Sequence, residues 1–209
     1  KTTLFLCAGH MARVRGVRST SKIEALFDGW VKLPHLLTDL LGESGGLSAI
    51  TQGIAKRLHD KGIRGYFFIG RGLSFPIALE GALKLKEIAY VHAEGYAAGE
   101  LKHGPIAMID QDMAVVVIAP NDLWHDKTLS NLEEVKARGA HIVAIGEEGD
   151  KDLQSLSDEW IPIPSRGLHA ALTPFLLTPT IQLLGYHLAV LRGADVDKPR
   201  NLAKSVTVE

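Results

Sequence analysis

"GYFFIGRGLSFPIALEGALKLKEIAY", residues 65–90, decides the fold class. A short apolar run, 65–70, reads as a buried strand. After the loop "GRGLS", 70–74, apolar residues return at helical spacing over 74–90, with Pro76 in the first turn of the helix. The same alternation continues downstream. "MAVVVIAP", 113–120, is a continuous β-branched run typical of a parallel strand covered on both faces. "DKTLSNLEEVKARG", 126–139, reads as a charged amphipathic helix, and "HIVAIG", 141–146, and "EWIPIP", 159–164, as further strands. Residues 169–193 form a long helical segment strained by Pro174 and Pro179. Strands separated by helices of this length imply βαβ crossovers and an α/β fold with a doubly wound, flavodoxin-like parallel sheet. Ligands of such sheets bind beyond the carboxyl ends of the strands, where the loop 70–74 leaves the first strand.

Upstream, the spacing predicts helices. "KTTLFLCAGHMARVRG", 1–16, reads as the last turns of an amphipathic helix, an opening that implies a preceding segment. It lacks the cleavage site of a secretory signal. Ile23, Leu26, Phe27, Trp30 and Leu33 share a second helical stripe that Pro34 is expected to break. A third helix covers 47–62, with Ser48 as N-cap and Gly62 as its stop. The expected organisation is N-terminal helices left over from a preceding domain or linker (1–46), an α/β domain (47–193) and a polar C-terminal tail (194–209).

Among the 209 residues, 46% are hydrophobic and 22% charged, and the formal net charge of −1 points to neither nucleic acid nor an anionic membrane. The apolar stretch 170–191 contains Pro, Thr, Gln and His, which suits helix packing inside a protein better than a bilayer. The single Cys7, in "LFLCAG", excludes an internal disulfide, fits a reducing compartment, and reads as a small buried hydrophobe. No HxxxH or HExxH spacing suggests a metal, and no GxSxG suggests a serine hydrolase.

The chemistry concentrates in 70–105. "GRGLS" is either a tight turn or an anion-binding loop ahead of a helix N-terminus; it is not the dinucleotide fingerprint, since Phe75 stands where GxGxxG needs glycine. Glu80, Lys84 and Glu87 fall at i, i+4 and i+7 on one helical face, the spacing of a solvated ion pair or of a site wall. "HAEGYAAGELKHGP", 92–105, adds His92, Glu94, Glu100, Lys102 and His103 among small residues that let a substrate approach the backbone.

Together, "GRGLSFPIALEGALKLKEIAYVHAEGYAAGELKHGP" and the tail "DVDKPRNLAKSVTVE" closely resemble the isomerase region of the glutamine–fructose-6-phosphate aminotransferases, over essentially 47–209. The resemblance implies a second sugar isomerase (SIS) domain followed by a catalytic tail. It implies that Glu87 is the base moving a proton between C1 and C2 of the sugar. Lys84 would assist that transfer, and His103 would open the hexose ring from the neighbouring subunit. Lys204 would form an imine with the C2 ketone of fructose 6-phosphate. Gly70, Arg71, Gly72 and Ser74 are candidate substrate-binding residues, with Arg200 and Asn201 holding the tail. The implied enzyme is a cytoplasmic homodimer acting on fructose 6-phosphate and glucosamine 6-phosphate without metal or organic cofactor. The family's phosphate-binding loop, of the form SQSGETADT, has no match here, and Lys1 stands where the family's glutaminase begins with cysteine. Competing readings are a non-catalytic sugar-phosphate-binding module and a simple phosphosugar isomerase.

Overall fold

The computed structural model describes residues 2–17, 19–42, 46–165 and 167–200. Helices α1 (Thr2–Val14), α2 (Thr20–Leu41) and α3 (Leu47–Asp60) lead into the alternating part of the chain. There follow β1 (Gly65–Gly70), α4 (Ser74–Lys84), a π-helical turn (Leu85–Ala89) and β2 (His92–Ala97). Two 3₁₀ turns (Ala98–His103, Pro105–Met108) precede β3 (Met113–Ala119), α5 (His125–Lys136), β4 (His141–Glu147), α6 (Lys151–Leu156) and β5 (Glu159–Ile163). The chain then returns along α7 (Pro174–Leu191).

The five strands form one parallel sheet in the order β2-β1-β3-β4-β5. This is the flavodoxin-like order, with its switch point beside β1. Alternate side chains serve opposite faces. Phe68, Val116, Ile118, Val143 and Ile145 pack with α3, α4 and α7. Phe67, Ile69, Val115, Val117 and Ile142 pack with α5, α6 and the 3₁₀ turn at Leu101. Both faces being covered, the strands carry the continuous apolar runs that identified them.

Helix α4 lies unusually close to the sheet. A Cβ on Gly81 would stand 2.5 Å from the Phe68 ring, and one on Gly95 of β2 would stand 2.8 Å from the Cα of Leu79. Helix and strand meet at backbone distance, which fixes where the rest of α4 points.

Several expectations needed correction. Strand β2 was not expected: "HAEGYA" has no β-branched residue, and as an edge strand it takes its conformation from pairing with β1. The six-residue α6 was also missed. The predicted helix 74–90 is helical but changes to π geometry at Leu85. Pro34 lies inside α2 instead of ending it. Leu33 and Leu40 are buried on both sides of it, so continuing the helix preserves core contacts worth more than one lost backbone bond. Ser48 does not cap α3; Gly46 occupies that position, and the Ser48 hydroxyl lies 3.2 Å from Nε2 of His187. Cys7 is exposed, on the outer side of α1, instead of buried. The apolar stretch Ala170–Leu191 is long and apolar enough by composition to span a bilayer, yet half of it is buried within the protein.

At the amino-terminal edge of the sheet, Arg57 of α3 grips Glu159 of β5 through two hydrogen bonds of 2.7 and 2.6 Å. That contact raises the Arg57 pKa, opposed by burial. His141 lies beside it, with Lys61 at 2.9 Å from Nδ1 and Asp158 and Glu159 each at 3.8 Å. Burial, with Lys61 adding to it, pushes the His141 pKa down against the two carboxylates. Burial also lowers His187.

Because both histidines have folded pKa values below the ordinary ~6.5, their contribution to stability is complete above that value and is lost as pH falls through the lowered ones. The urea midpoint is therefore expected to fall on acidification from pH of about 7.5 to about 5.5, and to fall less in a His141→Gln, His187→Gln double variant. Gly81→Ala is expected to destabilise the chain by about 1–3 kcal/mol in chemical denaturation, despite alanine's helix propensity, because the new methyl has no space against Phe68.

Candidate active site

The face expected to carry Glu80, Lys84 and Glu87 forms as a connected group. Lys84 donates from Nζ to Oε2 of Glu87 at 2.6 Å and lies 4.0 Å from Oε1 of Glu80. The three side chains, Lys84, Glu80 and Glu87, are 28%, 25% and 21% exposed, so the group is partly withdrawn from water. Glu80 also accepts from Nε2 of Gln182 on α7 at 3.2 Å. The hydrogen bond to Glu87 raises the Lys84 pKa, burial opposing it. Lys84 is thus held as a cation in the last turn of α4, where the helix dipole favours positive charge. Chemically, this is a carboxylate oriented by a fixed ammonium group. The other oxygen of Glu87 carries no hydrogen bond among the described residues. Leu79, Leu83 and Tyr186 lie exposed on the same two helices.

Glu87 sits within the π turn Leu85–Ala89, a rare geometry that is frequent at functional sites. The turn ends at Tyr90, in the left-handed conformation with φ 55°. Arg192, just after α7, donates from Nε to the Ala89 carbonyl at 3.0 Å. Arg200 then reaches the same place: its backbone N–H donates to the Tyr90 hydroxyl at 3.0 Å, and its guanidinium lies 3.9 Å from the ring centre. Sequence reasoning assigned no role to Tyr90, Arg192 or Gln182. Their pairing depends on α7 lying alongside α4, for which the sequence carries no local signal. Asn201 and Lys204 lie outside the described residues.

The remaining candidates gather at the opposite end of α4. The helix begins at the carboxyl end of β1, and β2 starts again at the amino-terminal edge shortly after Tyr90. From Ser74 to Glu87 the helical rise is about 20 Å. Gly70 and Gly72 have packing reasons to be glycine: a Cβ on Gly70 would meet the Ser74 carbonyl at 2.7 Å, and Gly72 has φ +53° beneath Trp124. Ser74 is buried. Arg71 donates from Nε to Asn131 at 3.0 Å, and Glu134 binds Lys102 at 2.9 Å, which lowers the Glu134 pKa. His103 is exposed and 3.9 Å from Glu100; it makes no contact with Lys84 or Glu87. The edge-of-sheet expectation therefore holds for the loop at 70–74 and not for the ion pair. A polar recess of about 440 Å³, lined by Asn121, His125 and Asp150 among others, also lies at the carboxyl edge.

Comparison with known proteins gives a consistent result. The chain is 48% identical over 197 residues to the glutamine–fructose-6-phosphate aminotransferase (isomerizing) of Bradyrhizobium diazoefficiens, covering 94% of this chain and 31% of that protein. It is 48% identical over 208 residues to the protein of the same name from Thermococcus kodakarensis, covering 100% of this chain and 33% of that one. The chain thus spans about a third of the length of these curated relatives. The solved C-terminal domain of glucosamine-fructose-6-phosphate aminotransferase from Francisella tularensis superposes with a TM-score of 0.81 at 36% identity, covering 92% of this chain and 52% of that one. Residues 63–192, spanning every strand of the sheet and all of α4 to α7, match the SIS domain model, and the chain belongs to the SIS-domain family.

Proposed function

We propose that this chain is the second SIS domain and catalytic tail of a glutamine–fructose-6-phosphate aminotransferase, with α1 and α2 as the connection from a preceding domain. The observation that carries the reading is the Lys84–Glu87 pair with the root of the tail fastened three residues further on, at Tyr90. Lys204 is the fourth residue after Arg200, a reach of at most about 14 Å of extended chain. A Lys204 amine on that tether can meet a sugar lying against Glu87.

In this reading the Lys204 amine adds to the C2 ketone of open-chain fructose 6-phosphate and water leaves, giving an imine. Ammonia then adds at C2 and the Lys204 amine leaves, giving the free sugar imine, from whose C1 Glu87 removes a proton and returns it to C2. Lys84 keeps the carboxylate oriented and balances charge as it builds on the sugar. His103 acts at ring opening. In one chain it stands at the far end of α4 from Glu87, so it serves a site formed with a second subunit. That separation, and the exposed Leu79, Leu83 and Tyr186 beside the ion pair, support reading the protein as a homodimer. Gly70, Arg71, Gly72 and Ser74 belong with His103 on that contributed edge; Arg200 and Asn201 hold the tail. The reading carries a cytoplasmic location and needs no metal or organic cofactor. Phosphate binding and the ammonia source fall to other domains of the full protein.

Borohydride reduction in the presence of fructose 6-phosphate is expected to attach the sugar to Lys204, located by peptide mass spectrometry. Glu87→Gln should keep that adduct while slowing C1 proton exchange with solvent by about 10²–10⁴-fold. An adduct confined to other lysines, or unchanged exchange in the variant, would overturn the assignment. The 209-residue chain by itself is expected to make no glucosamine 6-phosphate from glutamine; detecting that product would refute the division of labour.

A further inference from the structure

We infer that Tyr90 is the positioning residue that joins the tail to the turn bearing the base, a role that rests on the reading of Glu87 and Lys204 given above. Tyr90 is the only non-glycine residue with positive φ among the described residues. A bulky aromatic residue is a costly choice in that conformation, where glycine fits without strain. Its side chain is used twice, and both times by the same residue, 110 positions along the chain. The hydroxyl accepts the Arg200 backbone N–H at 3.0 Å, and the ring faces the Arg200 guanidinium at 3.9 Å.

The approach of the tail is itself built. Asp195 accepts from the backbone N–H groups of Asp197 and Lys198 at 3.1 and 3.2 Å, forming a turn after α7. Pro199 restricts the next step, and Arg200 follows at once. On the receiving side, Arg192 ties the end of α7 to the Ala89 carbonyl, one residue before Tyr90. Tail root and π turn are thus clamped from both directions at one point, three residues from Glu87. Left-handed backbone at Tyr90 ends the turn; the aromatic side chain fixes the tail there. Anchoring the chain four residues before Lys204 limits the volume the amine must search and raises its effective concentration over the sugar.

The test separates anchoring from folding. Tyr90→Gly keeps the backbone conformation and removes both contacts; Tyr90→Phe removes only the hydroxyl. Tyr90→Gly is expected to unfold at a denaturant midpoint equal to or above that of the parent. Its borohydride trapping rate at Lys204 should fall about tenfold. Tyr90→Phe should recover part of that loss, and in both variants the Arg200 amide should lose its protection from hydrogen exchange. Trapping by Tyr90→Gly at the parent rate, or an Arg200 amide equally exposed in parent and variants, would overturn the inference while leaving Lys204 and Glu87 in place. Absence of any Lys204 adduct in the parent chain would instead overturn the functional reading, and the role of Tyr90 with it.

Discussion

The structure depends on the close approach of α4 to the sheet. Gly81 lets the helix settle against Phe68, and Gly95 lets β2 pass beneath Leu79 at backbone distance. Neither contact admits a methyl group. The helix therefore has one position, and everything it carries is placed by that position. Lys84 and Glu87 emerge at its far end, where α7 runs alongside and contributes Gln182 and Arg192. Two glycines that touch no functional group set the geometry of the ion pair, because close-packed interiors transmit displacement instead of absorbing it.

Most of the fold was legible because a doubly covered parallel sheet writes itself as apolar runs. The runs at 65–70, 113–120, 141–146 and 159–164 became β1, β3, β4 and β5 within a residue at either end. What was not legible came from tertiary context. His92–Ala97 has poor strand propensity and extends because β1 offers a row of unpaired backbone groups. Pro34 read as a break and Pro179 as a strain on its helix, yet both helices continue, since the neighbouring residues gain more from burial than one backbone hydrogen bond returns. Cys7 followed the rule for apolar runs and lies exposed because α1 meets the rest of the chain with its other side, through Phe5 on Trp30 and Phe175.

The candidate site was legible in part, for a different reason. Residues at i, i+4 and i+7 share a helical face wherever the helix goes, so the contacts of Lys84 with Glu80 and Glu87 could be read from spacing alone. Spacing says nothing about which end of a fold that face occupies. The loop at 70–74 drew the reading toward the carboxyl edge of the sheet, and α4 then carried Glu87 to the opposite edge. Tyr90 was invisible for a third reason. Left-handed backbone is signalled by glycine or asparagine, and here an aromatic residue adopts it.

The span of α4 bears directly on chemistry. About 20 Å of helix separates the Arg71 and His103 edge from Glu87, several times the length of a six-carbon sugar. No single substrate can touch both ends of one chain. A reaction that uses both requires a second copy, presented so that its carboxyl edge faces the first copy's ion pair. Covering that surface would also change the pair electrostatically. A partly exposed ammonium–carboxylate contact is weakened by water; once neighbouring apolar side chains exclude solvent, the same 2.6 Å contact strengthens, and so does its grip on the orientation of the carboxylate. Association would then supply the remote residues and also a drier surrounding for the ion pair, and both effects arise from the same face of α4.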